Sequence, residues 1–262
     1  MKFILSALFA TGVSAFSPST QVNFATSLKA ADVETSAPAS ASSGLSDLKA
    51  LSAELNPIVN YYDPLNLVDV DIYGMGQDAS IGFLRQAEIK HGRVAMAAFV
   101  GYCVQSNFIF PWPQHMDGTT GPSVDLSPEQ QWDAIPENAK WQIFTLIALL
   151  EVWDESSNLQ GLPHYTKGRM PGQFPSLQPF RDNVHFALDL FDPFGFSKNR
   201  TEEAKARGRV AEVNNGRLAM LGIFGFLSAD KMPGSVPLLD SLGVTIPYDG
   251  NIMIPFEGNF HL

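Results

Sequence analysis

Apolar residues gather in three runs, Val94 to Val104, Trp141 to Trp153 and Leu218 to Ala229. Each is about half to two-thirds of the ~20 residues that a membrane-spanning helix needs. Gly- and Pro-rich loops separate them, and the flanking sequence extends them into predicted helices over Ile81 to Asn107, Ala139 to Leu159 and Thr201 to Lys231. The first and third helices carry charged halves, Glu88 to Arg93 and Glu212 to Arg217. A hydropathy window therefore misses them or scores them as marginal spans. They reach spanning length only where those charges can be buried.

The charged halves are copies of one another. Arg85-Gln-Ala-Glu-Ile-Lys-His-Gly-Arg-Val-Ala-Met96 returns as Arg209-Val-Ala-Glu-Val-Asn-Asn-Gly-Arg-Leu-Ala-Met220, and Ala95, Ala98 and Gly101 fall opposite Ala219, Gly222 and Gly225. Two copies of one helix predict a pair built to face each other. Within a copy, Glu88 and Arg93 stand five residues apart, about 140° around a helix, where ion pairs favour i+3 or i+4. Glu212 and Arg217 have the same spacing. Crossing the copies about a local two-fold axis lets Glu88 meet Arg217 and Glu212 meet Arg93, which neutralises four charges. Gly92 and Gly216 lie between the charges, and small residues at a crossing let backbones approach.

Loop charges point to the same environment. The loop from Asn107 to Ala139 has no Lys or Arg but carries Asp117, Asp125, Glu129, Asp133 and Glu137, whereas the loop from Ser156 to Arg209 is rich in Lys and Arg. This alternation predicts three spans, with the N-terminal segment and second loop on the synthesis side and the first loop and C-terminal tail translocated. Trp112, Trp132, Trp141 and Trp153 lie near helix ends, as interfacial anchors do. The net charge of −10 argues against nucleic acid as a partner.

Residues 1–15 read as a signal peptide: Lys2, an apolar run from Phe3 to Val13 and a small-residue cleavage site at Val13-Ser14-Ala15. Residues 16–46, rich in Ser, Thr and Ala, read as a second targeting segment or linker, and 47–262 as the functional domain. An aromatic Phe16 at the cleavage site resembles the bipartite presequence of algae with complex, red-lineage plastids. Cys103 is the one cysteine, so no disulfide framework supports an extracellular life.

Ionisable residues inside a bilayer mark function. Each Glu keeps an oxygen free after bonding its Arg. Glu88 with His91, and Glu212 with Asn215, share a helix face. In the middle helix Gln142 and Glu151 are the only buried-type polar residues between Trp141 and Trp153, about 13 Å apart along the axis, with Glu151 also readable as part of the exposed, acidic helix end. Single ligands spread along helices suit an ion whose other positions are already filled, as magnesium's are in a chlorophyll ring. A rival of another class is the di-iron carboxylate enzyme, whose helical bundle uses Glu-x-x-His twice. Here the second copy has Asn215 where that motif needs His.

Glu-Ile-Lys-His-Gly-Arg-Val-Ala-Met and Glu-Val-Asn-Asn-Gly-Arg-Leu-Ala-Met follow the turns Tyr62-Asp63-Pro64-Leu65-Asn66 and Phe191-Asp192-Pro193-Phe194-Gly195. Together they resemble the first and third membrane helices of light-harvesting chlorophyll-binding proteins, over about Tyr61 to Leu239. Lys90-His91-Gly92-Arg93 and the tail from Lys231 to Leu239 resemble the fucoxanthin chlorophyll a/c branch. The resemblance implies an all-α membrane protein of three transmembrane helices, the first and third crossed as a pseudo-two-fold pair. It implies Glu88, His91, Gln142, Glu151, Glu212 and Asn215 as axial ligands of chlorophyll magnesium, and Arg93 and Arg217 as the pairing residues. Segments at Asp63 and Asp192 would hold carotenoid head groups.

The cofactors implied are chlorophyll a, chlorophyll c and fucoxanthin or a related carotenoid. The partners implied are a photosystem core, I or II, neighbouring antenna subunits and thylakoid lipids. The task implied is antenna work rather than enzymology, in a plastid thylakoid, with the N-terminus stromal and the C-terminus lumenal. A photoprotective member that dissipates excitation is the alternative on the same fold. The chain departs from the family at Ala229, seventeen residues after Glu212, where many members carry a Gln ligand. The loop holding His164 and His185 has no family counterpart, and either His is a candidate for an extra pigment.

Overall fold

The computed structural model describes residues 44–71, 74–113, 118, 120–183, 199–243, 245–252 and 255–256. The described chain is helical: α1 (Leu45–Leu55), α2 (Gln77–Asn107), α3 (Pro128–Asp133), α4 (Glu137–Glu155), α5 (Gln178–Asn183), α6 (Glu202–Lys231) and α7 (Pro237–Leu242). Short 3-10 turns lie at Ser157–Gln160 and Tyr165–Lys167. Among the described residues no strand forms beyond an isolated bridge between Pro113 and Thr120.

The helix boundaries have local causes. Thr201 caps α6 by accepting a hydrogen bond from the Ala204 amide at 3.3 Å, and acidic Glu202 and Glu203 in the first turn with basic Lys231 in the last suit the helix dipole. Ser127 and Gln130 close a capping box around α3. Two boundaries differ from expectation by a full turn. α2 starts at Gln77 rather than Ile81, and α4 ends at Glu155 rather than Leu159, where a 3-10 turn takes over and Gly161 at φ 74° closes it. Helix α1 begins at Leu45, inside the stretch read as linker, and it docks by its C-terminal carbonyl: Asn214 Nδ2 donates to Leu55 O at 3.2 Å.

The architecture depends on α2 crossing α6. A Cβ added to Gly216 would stand 2.9 Å from the Gly92 Cα, and one on Gly92 would stand 3.1 Å from the Gly216 Cα. Only two glycines permit that approach. Further along the cross, Phe99 fills the space over Gly222, and its ring stacks on Phe226 at 5.1 Å, with Tyr102 on the same ring at 5.0 Å. Gly101 and Gly225 have open space where a Cβ would go. The repeated small residues thus make contact at one end of their stripe only, because the helices diverge from the crossing.

Polarity is distributed inside out. Gln86, Lys140, Asp154, Arg169 and Asp230 are buried, with Asp154 at 0% exposure and Arg169 at 3%. Meanwhile Val94 and Val100 of α2, Leu149 and Val152 of α4, and Leu218, Leu221 and Phe224 of α6 are exposed. The last three are spaced i, i+3, i+6 and form one apolar face. Exposed apolar faces of this kind mark a surface covered by lipid, ligand or partner. Among the described residues no helix is long and apolar enough to cross a membrane. Length is not what α2 and α6 lack, at 31 and 30 residues; the charges from Glu88 to Arg93 and from Glu212 to Arg217 interrupt their apolar runs.

Close backbone approach at the crossing gives a steric prediction. Gly216→Ala should destabilise the purified protein by roughly 1–3 kcal/mol, because backbone cannot yield to the new methyl group. Gly208→Ala, with nothing within 4 Å of the new atom, should be neutral or stabilising by up to about 1 kcal/mol. Thermal unfolding followed by circular dichroism checks both, and equal Tm values would contradict the close crossing.

Candidate functional site

The two copies of the repeat meet as crossed ion pairs. Arg217 Nε donates to Glu88 Oε1 at 2.7 Å, and Arg93 Nε donates to Glu212 Oε1 at 2.5 Å. Arg93 also donates through Nη1 to the Gly172 carbonyl at 2.7 Å, which ties the loop after α4 to the cross. Each Glu spends Oε1 on its Arg, and Oε2 takes no hydrogen bond from the described residues. All four side chains stay partly exposed.

His91 is exposed one turn along from Glu88. Its Nδ1 lies 2.7 Å from the Ala87 carbonyl. A carbonyl can only accept, so Nδ1 carries a proton, and the tautomer this selects leaves Nε2 as the ring's acceptor nitrogen. A hydrogen bond on one ring nitrogen that orients the other is the arrangement found at metal-ligating histidines. Asn215 occupies the equivalent place on α6, exposed and with no side-chain hydrogen bond among the described residues.

Helix α4 stands off the cross. Its contacts are at its ends, and its two buried residues are the charged Lys140 and Asp154. At the far end, Asp154 ties α4 to α2 and to the following loop: it accepts from Gln86 Nε2 at 3.0 Å and from Arg169 Nη2 at 2.7 Å, and lies 2.7 Å from Lys90 Nζ. Gln86 in turn accepts from the Gly172 amide at 2.6 Å. At the near end, Trp132 Nε1 donates to the Pro255 carbonyl at 3.1 Å, and Trp141 stacks on Phe256 at 4.7 Å. Gln142 and Glu151, expected to be buried polar residues, are both exposed instead. Glu151 Oε2 accepts from Lys90 Nζ at 2.7 Å, so its acidic helix end joins the ionic network and only Oε1 is left over. Gln142 has no side-chain hydrogen bond among the described residues and lies on the exposed face.

The Asp63 turn is self-contained. Its Oδ1 accepts from the Leu67 amide at 3.0 Å and its Oδ2 from the Val68 amide at 3.1 Å and the Tyr61 hydroxyl at 3.2 Å. The Leu67 and Val68 amides hold the Asp63 carboxyl below its usual pKa. Asn60 and Asn66, at φ 56° and 50°, supply the left-handed residues of the same loop. Asp192 and His185 lie outside the described residues. His164 is unsuited to a ligand role because both ring nitrogens are engaged, Nδ1 with Thr166 Oγ1 at 2.7 Å and Nε2 with Glu155 Oε2 at 2.8 Å. Ala229 is 3% exposed, so protein fills that position.

The buried network of Gln86, Asp154, Arg169 and Lys90 escaped the sequence reading. A basic residue in the long loop and an Asp one turn after Glu151 were its signals, but their meeting requires the loop path. Each candidate ligand stands alone: among the described residues no three His, Cys, Asp or Glu side chains converge as a metal-holding group. Lone donors beside apolar faces fit a planar, already chelated metal that needs one axial atom.

Comparison with known proteins bears on the same residues. The family profile described as Chlorophyll A-B binding protein matches residues 47–231. The chain is 30% identical over 254 residues to the fucoxanthin-chlorophyll a-c binding protein, chloroplastic, of Trieres chinensis, covering 92% of this chain and 100% of that one. It is 29% identical over 235 residues to the fucoxanthin-chlorophyll a-c binding protein F, chloroplastic, of Phaeodactylum tricornutum, covering 88% and 96%. To the corresponding protein A of Macrocystis pyrifera it is 28% identical over 192 residues, covering 70% and 73%. The matched stretch holds both copies of the repeat, the crossed ion pairs and all of α4. The chain belongs to the chlorophyll A-B binding protein family, alongside its fucoxanthin-chlorophyll a-c binding members.

Proposed function

We propose that this chain is a light-harvesting antenna protein of the plastid thylakoid that binds chlorophyll a, chlorophyll c and fucoxanthin or a related carotenoid. Bound pigments would supply absorption and excitation transfer, and the protein's work is positional. The observation that carries the reading is the crossed pair. It consumes one oxygen from each Glu, neutralises both charges and leaves a second oxygen beside exposed apolar surface.

Glu88, His91, Glu212 and Asn215 would hold magnesium along the cross, and Gln142 and Glu151 along α4. Helix spacing then fixes the distance between rings, and packing of α2 on α6 fixes their relative orientation. The space between α4 and the cross, spanned at its far end by Asp154 and Lys90, is where rings held from both sides would complete the packing. At Asp63 both carboxylate oxygens serve the turn, so a carotenoid head group there would have to bond to the backbone or Tyr62. Asp192 is assigned the equivalent role by the repeat alone.

The membrane reading rests on the inside-out polarity and on the loop charges. Paired Glu88–Arg217 and Glu212–Arg93 no longer carry net charge, so α2 and α6 can lie in a bilayer that their isolated hydropathy would forbid. We place three spans, α2, α4 and α6, with the N-terminus stromal and the C-terminus lumenal. The partners are neighbouring antenna subunits and a photosystem core. The task is excitation transfer and no bond is made or broken, so no enzymatic role is assigned.

Removing one partner of an ion pair in this setting strands the other. Arg217→Leu should strand Glu88 and suppress assembly, whereas Arg217→Leu with Glu88→Leu should fold better and lack one pigment. Equal pigment content in wild type and Arg217→Leu would contradict the pairing argument.

The function is tested on the gently solubilised native protein by absorption, fluorescence excitation and pigment extraction. Carotenoid excitation should appear in chlorophyll a emission. His91→Ala should lower the extracted chlorophyll by one per chain, and His164→Ala should leave it unchanged. A colourless protein, or carotenoid excitation absent from the emission, would overturn the antenna reading.

A further inference from the structure

At the C-terminal end of the α2–α6 cross, two carboxylates converge on one phenol. Tyr102 of α2 donates its hydroxyl proton to Asp230 Oδ2 of α6, and the same hydroxyl oxygen lies 3.5 Å from Glu129 Oε2 of α3. Asp230 is 5% exposed, and Glu129 Oε1 is buried with no hydrogen-bond partner. Neither carboxylate has an ion-pair partner among the described residues.

The surrounding groups are accounted for. Lys231, next to Asp230, turns its Nζ to the Asp249 and Gly250 carbonyls at 2.9 and 2.8 Å. Tyr248 of the tail donates its amide to the Asp230 carbonyl at 2.9 Å and its hydroxyl to Asp133 Oδ2 of α3 at 2.8 Å. Lys140 Nζ donates to the Asp133 carbonyl at 3.5 Å and lies over the Trp132 ring, 5.6 Å from its centroid. From α2, residues 94–107 contribute no Asp, Glu, Lys, Arg or His, and Cys103 is exposed. From α3 and its cap come Ser127 and Gln130, bonded to each other, and Gln131, which donates to the Gln105 and Leu126 carbonyls. Asp125 accepts from the Ser123 hydroxyl at 3.0 Å. Among the described residues no Lys, Arg or His forms an ion pair with either carboxylate.

A phenol carries one proton and cannot donate to two carboxylates at once. With Tyr102 committed to Asp230, a hydrogen bond between Glu129 and that oxygen needs a proton that only Glu129 can bring. Two ionised carboxylates around one buried phenol would repel, and the Glu129 amide and Ser127 hydroxyl offset only part of the cost of burying the Glu129 charge. We propose that Glu129, Tyr102 and Asp230 form a one-proton lock: with a proton shared between the carboxylates, α3 is latched onto the end of the cross, and its loss releases α3. Burial pushes the Glu129 carboxyl above its usual range, which agrees in direction.

A folded state that holds this proton more tightly than the unfolded chain is favoured at low pH and loses that advantage as pH rises from the ordinary Glu value of 4.5 through the folded one. The test is hydrogen–deuterium exchange of residues 126–133 in the purified full-length protein between pH 5 and 8, corrected for the intrinsic pH dependence of exchange. Infrared detection of a protonated carboxyl band accompanies it. Wild type should lose protection by roughly tenfold per pH unit across the transition and lose the band with it. Glu129→Gln, a neutral mimic, should stay protected at pH 8 and lack the band, and Asp230→Asn should flatten the profile too. Parallel profiles in wild type and Glu129→Gln, no carboxyl band in wild type at pH 5, or failure of Glu129→Gln to fold would each overturn the lock.

Discussion

Everything in this structure depends on two arginines reaching across a glycine contact to two glutamates. Gly92 against Gly216 brings α2 and α6 close enough for Arg93 to meet Glu212 and Arg217 to meet Glu88. The contact and the charges depend on one another. Without the glycines the guanidinium groups would not reach, and without the pairs four charges would stand on helices whose other surfaces are apolar. Because each Arg uses one oxygen of its Glu, the same interaction that holds the cross together leaves two carboxylate oxygens for another purpose.

The rest of the molecule is fastened to that cross by polar contacts at the ends of its helices. Asp154, with Gln86, Lys90 and Arg169, fixes one end of α4, while Trp132, Trp141 and the tail fix the other. Between the ends Ile147 and Leu149 of α4 are exposed, as are Val94 and Val100 of α2 and Leu218, Leu221 and Phe224 of α6. Such a protein has polar joints and apolar outer faces, the reverse of a soluble bundle. Its missing packing is what pigment and lipid would provide, which is why the family's function follows from its architecture.

Much of this was legible in the sequence. The duplication of Glu88 to Arg93 as Glu212 to Arg217, at a spacing unfit for pairing within a helix, led to the crossed pair. The two glycines gave the crossing point. What was hidden had non-local causes. Glu151 reads as an isolated polar residue in an apolar run, yet Lys90, sixty-one positions away, claims one of its oxygens. Arg169 reads as one more basic loop residue, though it is among the most buried side chains described. His164 reads as a candidate ligand in the long loop, and only the fold of the turn brings Glu155 and Thr166 to its two nitrogens. Hydropathy scores residues singly, whereas Glu88, Arg93, Glu212 and Arg217 stand in the fold as pairs.

The central claim is that Glu88 and Glu212 each serve an arginine with one oxygen and a chlorophyll with the other. A high-resolution experimental map of the native, pigment-bearing protein tests it most directly. The account predicts density for a ring metal within coordination distance of the second carboxylate oxygen of both Glu88 and Glu212, with Arg217 and Arg93 on the first. Oxygens bonded only to water, or arginines turned away to partners on their own helices, would contradict it.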